Sequence, residues 1–130
     1  MNKQDHIAHW LKGAAYNWQE VDTVFTAGAY VPCFFWAHLA IEKLAKALWI
    51  QDNEGNTPPF THNISKLLAS TSFVPTPVQA KFILELNAFQ LEGRYENYVT
   101  DLRELLTPEL AREILHNVKE LRRCLLNQLL

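Results

Sequence analysis

The chain has 130 residues, of which 48% are apolar and 12% aromatic, and its formal net charge is −2. This is the size of one ordinary domain, so we expect a single domain over residues 1–130 with enough apolar material for a core. The scarcity of glycine disfavours a turn-rich β fold, and the charge lacks the basic excess typical of tight DNA binding or non-specific nucleic-acid binding.

Two long helices are predicted in the first half of the chain. The first runs from about Asp5 to Ala27, where apolar residues recur in alternating steps of four and three, and Gly28 is a natural stop. The second runs from about Tyr30 to Gln51 and is apolar on nearly all sides. A helix of this kind is central in its domain or has a second face that a partner covers.

Three apolar residues of the second helix lie away from its main stripe, namely Phe35, Leu39 and Ile50. The loop that begins at Asp52 could cover them within one chain. A second copy of the chain is the other option, because an apolar patch rich in aromatic residues is typical of an interface. We therefore predict a homodimer in which these three residues contribute to the interface.

The second half of the chain predicts one short helix and two further long ones. The short helix covers about Asn63–Ser70. Thr-Pro pairs at Thr76 and Thr107 are start signals, because threonine caps a helix and proline fits its first position. The helices that follow are predicted to end at Gly93 and at about Gln128. The sequence therefore predicts an all-α, up-and-down bundle of four long helices plus one short helix.

Little in the sequence indicates a metal site, export or a membrane. His6 and His9 have helical spacing but no third ligand, so no metal or other cofactor is expected. Cys33 and Cys124 lie in no metal or redox spacing, and we expect them to be reduced. The apolar run Ala29–Ala37 is shorter than the roughly 18 residues of a membrane span, and the first residues lack an apolar signal region. We expect a soluble, cytoplasmic protein.

Several short segments follow one another in a characteristic order. They are Trp10-Leu11 with Ala14, Ala15 and Asp22, then Cys33-Phe34, then Ala37 to Ala47, then Thr61 to Ile64, then Leu86-Asn87, and then Arg94-Tyr95. Together they resemble the HEPN family of small prokaryotic helical domains, with its "AEKALKA" helix, its "THxL" helix start and its "RYP" motif. The sequence departs from that pattern at Ile41, where alanine is usual, and at Glu96, where proline is common.

The resemblance implies a helical bundle, often dimeric, that is associated with nucleotides or RNA. Many members of the family are encoded beside a minimal nucleotidyltransferase, which implies a nucleotidyltransferase-type protein as a partner, as in a toxin–antitoxin-like system. A subset are RNases. In those, an arginine and a histidine with four to six residues between them meet the partner's copies at the dimer interface.

The RNase pattern is incomplete in this chain. After Arg94, the positions that should carry histidine are Val99, Thr100 and Asp101. A solvated aspartate has a pKa near 4 and is a weak general base, so we predict no catalytic residue. Arg94 could still grip a phosphate while Tyr95 stacks on a base. The alternative is that Arg94 covers carbonyls at a helix end and Tyr95 packs its ring inward.

Other candidate contacts are His62 and Lys43. His62 could contact a nucleotide at a helix start, or it could simply fix the path of the chain there. Lys43 and Glu42 could form a buried ionic site, although such residues are more often on a solvated or interface face. His38 is expected to be a satisfied core histidine.

The last helix carries a row of basic residues, Arg112, His116, Lys119 and Arg123, on one arc. A parallel row of glutamates runs beside it. Neighbouring charges of opposite sign cancel much of the field over a Debye length of about 8–10 Å. An outward face with both signs of charge is therefore favoured over a phosphate-binding track.

Three hypotheses follow for function. The first is a non-catalytic protein of this type that binds a nucleotide, RNA or a nucleotidyltransferase-type partner, with Arg94, Tyr95, His62 and Lys43 as contacts. The second is a metal-independent RNase with a composite dimer-interface site around Arg94, in which His62 or Asp101 replaces the missing base. The third is a structural adaptor.

Overall fold

A computed structural model describes all residues from Met1 to Leu130 and contains helices but no strands. The six α-helices are α1 (Lys3–Thr26), α2 (Tyr30–Asp52), α3 (Ile64–Leu68), α4 (Pro77–Leu86), α5 (Glu96–Leu105) and α6 (Pro108–Gln128). The predicted all-α class is confirmed. None of the helices combines the length and the apolar character that crossing a membrane requires.

The first two helices form the principal pair of the bundle. At the start of α1, the Asn2 side chain accepts from the Asp5 backbone N–H (2.9 Å) and the Asp5 carboxylate accepts from the Asn2 N–H (3.1 Å). This reciprocal capping satisfies two backbone donors. Gly28 ends the helix with φ +79°, a conformation that glycine adopts without strain. The short turn brings α2 back along α1.

α2 lies at the centre of the bundle and contacts α1, α3, α5 and α6. Its predicted stripe is buried, with Phe34, Ile41 and Leu48 fully enclosed. On α6 the fully buried positions include Leu121 and Leu125. A helix enclosed on most sides explains why α2 is apolar nearly all round.

A small second cluster corrects the prediction for Ile50. Ile50 is fully buried inside the chain, where it packs with Ile7 and Ala47. It is therefore not on a surface that a second copy could reach. The α2 residues Phe35 and Leu39 are half-buried. Their role in an interface stays a prediction.

The predicted long helix ending at Gly93 is wrong in its length. α4 ends at Leu86, and a 3₁₀ turn over Asn87–Phe89 follows. This tighter turn accompanies two contacts: the Asn87 side chain meets the His38 ring (3.1 Å), and Phe89 packs edge-on against Phe34. Gly93 has φ +77° and lies in the turn between this 3₁₀ segment and α5.

The helix α5 was not predicted. Tyr98 and Leu102 are partly buried on α5, and Leu106, directly after the helix, continues their spacing of four residues, which is helical. The Tyr98 hydroxyl donates to the Ala88 carbonyl (2.7 Å), so this ring ties α5 to the 3₁₀ turn. None of the residues of α5 is fully buried. The bundle therefore has three long helices, α1, α2 and α6, where four were predicted.

Candidate functional site

The first candidate region is the segment Gln90–Tyr95, called here the Arg94 loop. Arg94 is exposed, and its guanidinium carbon lies 4.6 Å from the centre of the Tyr98 ring. The Tyr95 side chain is exposed as well, and Tyr95 immediately precedes α5. The alternative in which Tyr95 packs inward is wrong, because Tyr98 takes that place. Both predicted contact residues are therefore open to solvent.

A group of polar side chains, buried except for one exposed histidine, lies between α2 and the start of α3. Its members are His38, Glu42, Lys46 and His62, called here the Glu42 cluster. Glu42 is only 2% exposed. One carboxylate oxygen accepts from the Lys46 ammonium (3.2 Å) and the other from the His62 ring (3.0 Å). The buried partner of Glu42 is therefore Lys46, one turn along α2, and not Lys43.

His38 is the innermost member of the Glu42 cluster and is 1% exposed. Its Nε2 faces the Asn87 side-chain oxygen at 3.1 Å, so Nε2 carries the proton. Its Nδ1 has no hydrogen-bond partner and lies 3.8 Å from a Glu42 oxygen. Burial lowers the pKa of His38, and the hydrogen bond to Asn87 and the charge of Glu42 oppose this effect. His38 is a core histidine, as predicted, but the expectation that it is satisfied is wrong for Nδ1, which has no hydrogen-bond partner.

His62 forms the outer edge of the Glu42 cluster. Its Nδ1 contacts Glu42 at 3.0 Å, and its Nε2 lies 2.9 Å from a carboxylate oxygen of Glu92 in the Arg94 loop. Asn63 caps α3 by accepting from the Lys66 N–H (3.1 Å). The His62 ring is thus not the cap, and carboxylates meet both of its nitrogens.

A second candidate site lies between α2 and α1. It is a cleft of about 270 Å³, called here the Lys43 cleft. It is lined by His9, Trp10, Lys12, Gly13, Tyr16 and Lys43. A methyl group on Gly13 would lie 3.2 Å from the Lys43 Cδ atom. The absence of a side chain at Gly13 therefore lets Lys43 lie across the α1 backbone.

The lining of the Lys43 cleft combines basic and aromatic groups without a carboxylate. Among these residues, only Lys43 was predicted to contact a ligand. His9, Lys12 and Tyr16 are three and four residues apart on α1, which places them on one face of that helix. That spacing was the available signal. This spacing does not predict that the same face of α1 packs beside Lys43.

The structure divides the predicted contact residues between two places. His62 is joined through Glu92 to the Arg94 loop, which carries Arg94 and Tyr95. Lys43 belongs to the cleft between α1 and α2. The four residues therefore do not form one site.

The basic row of α6 is largely neutralised by its neighbours. Arg112 pairs with Glu109 at 3.7 Å, and Arg123 pairs with Glu120 at 2.9 Å. Lys119 pairs with an aspartate of α1 at 3.5 Å. The favoured interpretation of this face, an outward surface with both signs of charge, agrees with these pairs.

Neither metal nor thiol chemistry is supported by the arrangement of side chains. No group of three or more His, Cys, Asp and Glu residues is placed to hold a metal ion. Cys33 is buried, and its S–H donates to the Val21 carbonyl at 3.4 Å. Burial, together with the nearby charge of Asp22, raises the pKa of Cys33 to about 12. A thiol with that pKa stays protonated and unreactive.

Comparison with known proteins gives one match. A family model described as HEPN domain matches residues 7–129, which takes in parts or all of every helix from α1 to α6. No curated protein and no solved structure matches the chain significantly.

Proposed function

The chain belongs to the HEPN domain family, and from that premise we propose that it binds a nucleotide or a short RNA segment in the Lys43 cleft, without catalysis. The observation that carries this proposal is the lining of the cleft. Three basic side chains and two aromatic rings meet there with no carboxylate among them.

The basic residues of the cleft are free to meet a phosphate. Lys12 and Lys43 make no ion pair, and His9 lies beside them. Lys46, by contrast, is buried and neutralised by Glu42. An unpaired ammonium has three donors and a compact charge, which suits a phosphate oxygen.

The aromatic residues supply a surface for a base. The Tyr16 side chain is 60% exposed, and Trp10 is half-buried, with the Lys46 ammonium 4.9 Å from its ring centre. Stacking of a base on an aromatic ring stabilises binding by about 1–3 kcal/mol and tolerates any sequence. At about 270 Å³, the cleft lies just below the usual range of ligand pockets, roughly 300–1,000 Å³. It suits a mononucleotide or one unit of a strand.

The non-catalytic part of the proposal rests on the surroundings of Arg94. One candidate base is His62, and carboxylates face both of its nitrogens. Asp101 is exposed, where an ordinary carboxylate is a weak base at neutral pH. The competing RNase hypothesis requires cleavage of a mixed RNA pool that Arg94→Ala abolishes.

Binding is tested with a fluorescently labelled ten-nucleotide RNA and with AMP, by anisotropy and calorimetry at low salt. We expect the double variant Lys12→Ala, Lys43→Ala to bind at least about tenfold more weakly, since two phosphate contacts are lost. The matched control is Lys66→Ala, Lys81→Ala, which removes the same charge from exposed positions outside the cleft. Equal losses in both double variants would show only a non-specific charge effect and would contradict the proposal.

A second proposal concerns a protein partner, either a second copy of the chain or a nucleotidyltransferase-type protein of a toxin–antitoxin-like pair. It is favoured by a shallow depression of about 360 Å³ lined by Phe35, Leu91 and Glu92. The half-buried Leu39 lies one turn further along α2. Light scattering at micromolar concentration tests the homodimer, and Phe35→Ser should shift a dimer toward monomer. A monodisperse monomer before any substitution would remove the homodimer from this proposal.

A further inference from the structure

A second cleft adjoins the Lys43 cleft toward the start of α1. Its volume is about 320 Å³, and His9 and Trp10 line both clefts. We call it the His6 cleft, after the α1 residue that lies within its lining. The rest of the lining includes three residues of the loop after α2, namely Asn56, Thr57 and Pro58.

The two clefts form one groove along a single stripe of α1. His6, His9, Gly13 and Tyr16 are separated by three, four and three residues, which places them on one face of the helix. At about 1.5 Å per residue, this stripe is about 15 Å long. A mononucleotide in the Lys43 cleft would therefore leave the His6 end of the groove empty.

The loop side of the His6 cleft is held in place by Lys3. The Lys3 ammonium donates to the carbonyls of Ile50 (2.8 Å), Asn53 (2.7 Å) and Gly55 (3.3 Å). These bonds tie the start of α1 to the end of α2 and to the loop that follows. The cleft is therefore preformed, and a ligand does not have to order the loop when it binds.

The lining of the His6 cleft suits the base of a nucleotide. Like the Lys43 cleft, it contains no carboxylate that would repel a phosphate backbone. An asparagine amide offers both donors and an acceptor to the edge of a base. The Asn56 Oδ1 is buried without a hydrogen-bond partner, which is uncommon in folded proteins. The side chain can therefore turn toward a base without breaking a bond of this oxygen.

From the continuity of the two clefts we infer that the groove binds a single RNA strand over at least two units, in preference to a mononucleotide. One unit lies in the Lys43 cleft, with its phosphate against Lys12 and Lys43. The next unit lies in the His6 cleft, with its base against His6 and Asn56. This inference rests on the binding proposed above for the Lys43 cleft and adds the class of ligand and the path of the strand.

The inference is tested by calorimetry of the full chain at low salt with two probes, AMP and the 5′-phosphorylated dinucleotide of adenosine. The dinucleotide contains AMP and one further unit. We expect it to bind at least about fivefold more tightly than AMP, because a second base is contacted. Equal affinities for the two probes would overturn the inference.

The double variant His6→Ala, Asn56→Ala should lower the affinity for the dinucleotide to that for AMP and leave AMP binding unchanged. The matched control is His116→Ala, Asn97→Ala, which removes the same side chains from exposed positions on α6 and α5. It should leave both affinities unchanged. A dinucleotide affinity that is unaffected by the first double variant, or equal losses for both probes, would overturn the inference.

A second variant guards against a loss of folding. Thr57 is exposed, so Thr57→Glu adds a carboxylate to the His6 cleft without disturbing the core. It should weaken dinucleotide binding and leave AMP binding unchanged, and an unchanged dinucleotide affinity would count against the strand.

Failure of this inference is distinct from failure of the proposed function. If Lys12→Ala, Lys43→Ala leaves AMP binding unchanged, or if neither probe binds, the proposed function fails and the strand fails with it. If AMP binding depends on those lysines but the dinucleotide binds no more tightly than AMP, only the inference about the strand is overturned.

Discussion

Two neighbouring residues of α2, Glu42 and Lys43, belong to regions that differ in almost every physical respect. Glu42 is buried and shares its charge with Lys46 and His62. Lys43 is half-exposed, lies over Gly13 of α1 and has no ion-pair partner. One turn of helix therefore carries both a closed ionic cluster and an open basic cleft, and the two adjoin where the Lys46 ammonium lies over the Trp10 ring.

The two regions have different roles: the Glu42 cluster stabilises the fold, and the Lys43 cleft is available to bind a ligand. Charges that are already paired and enclosed have little left to offer a ligand, but the fold depends on them. Charges that are unpaired at the rim of an aromatic cleft contribute little to the fold and are available to a ligand. Substitutions in the Glu42 cluster should therefore change stability, and substitutions in the Lys43 cleft should change binding.

The largest effect is expected for Glu42→Ala. The substitution leaves the buried Lys46 ammonium without its partner, and breaking a buried pair by removing one member costs about 3–5 kcal/mol. Urea unfolding followed by circular dichroism measures the loss. Glu85→Ala is the control, because Glu85 is exposed on α4 and should change the free energy of unfolding by no more than about 0.5 kcal/mol. Similar small losses in both variants would show that the Glu42 cluster is not structural.

A smaller effect of opposite sign is expected for Gly13→Ala. Alanine is favoured over glycine in a helix interior by about 0.5–1 kcal/mol, and the nearest atoms to the new methyl group belong to the flexible Lys43 side chain, the closest at 3.2 Å. The variant should therefore be more stable in urea while it binds the labelled RNA more weakly, since Lys43 is displaced from the cleft. A variant with increased stability and unchanged affinity would place the ligand elsewhere.

The smallest effect is expected in the pH dependence of stability. Burial lowers the pKa of His38 in the folded chain, so the unfolded chain takes up this proton first as the pH falls. The contribution of His38 to stability is therefore fully retained above about pH 6.5, the ordinary histidine value, and is lost as the pH falls toward the folded pKa. The difference between the unfolding free energies of the unmodified chain and of His38→Asn should shrink between pH 7.5 and 5.5. A constant difference across that range would contradict the assignment of His38 as a buried neutral ring.

The sequence predicted the helices whose apolar periodicity is strongest. Periodicity alone specifies one face of one helix, which is enough for the buried stripe of α2. It does not specify which face of another helix comes to lie beside it. Ile50 was assigned to an external interface because its covering residue, Ile7, comes from α1. Lys12 was missed for the same reason, since its relation to Lys43 exists only after α1 and α2 pack.

The second half of the chain was harder to predict because local rules compete there. The helix was predicted to end at Gly93 because glycine favours positive φ at a helix end, and Gly93 does have positive φ. The chain leaves the helix earlier, at Leu86, where Asn87 meets His38. The ionic partner of His62 was not predictable either, because it depends on how the loop between α2 and α3 folds back onto Glu42.

The most direct test of the contrast between Glu42 and Lys43 is a map of backbone amide shifts while AMP or the ten-nucleotide RNA is added to the ¹⁵N-labelled chain. We predict that the largest shifts fall on residues of the Lys43 cleft, such as Lys12, Gly13 and Tyr16, and that they disappear in Lys12→Ala, Lys43→Ala. Shifts confined to Arg94 and Tyr95, or shifts that persist in that double variant, would contradict binding at the cleft.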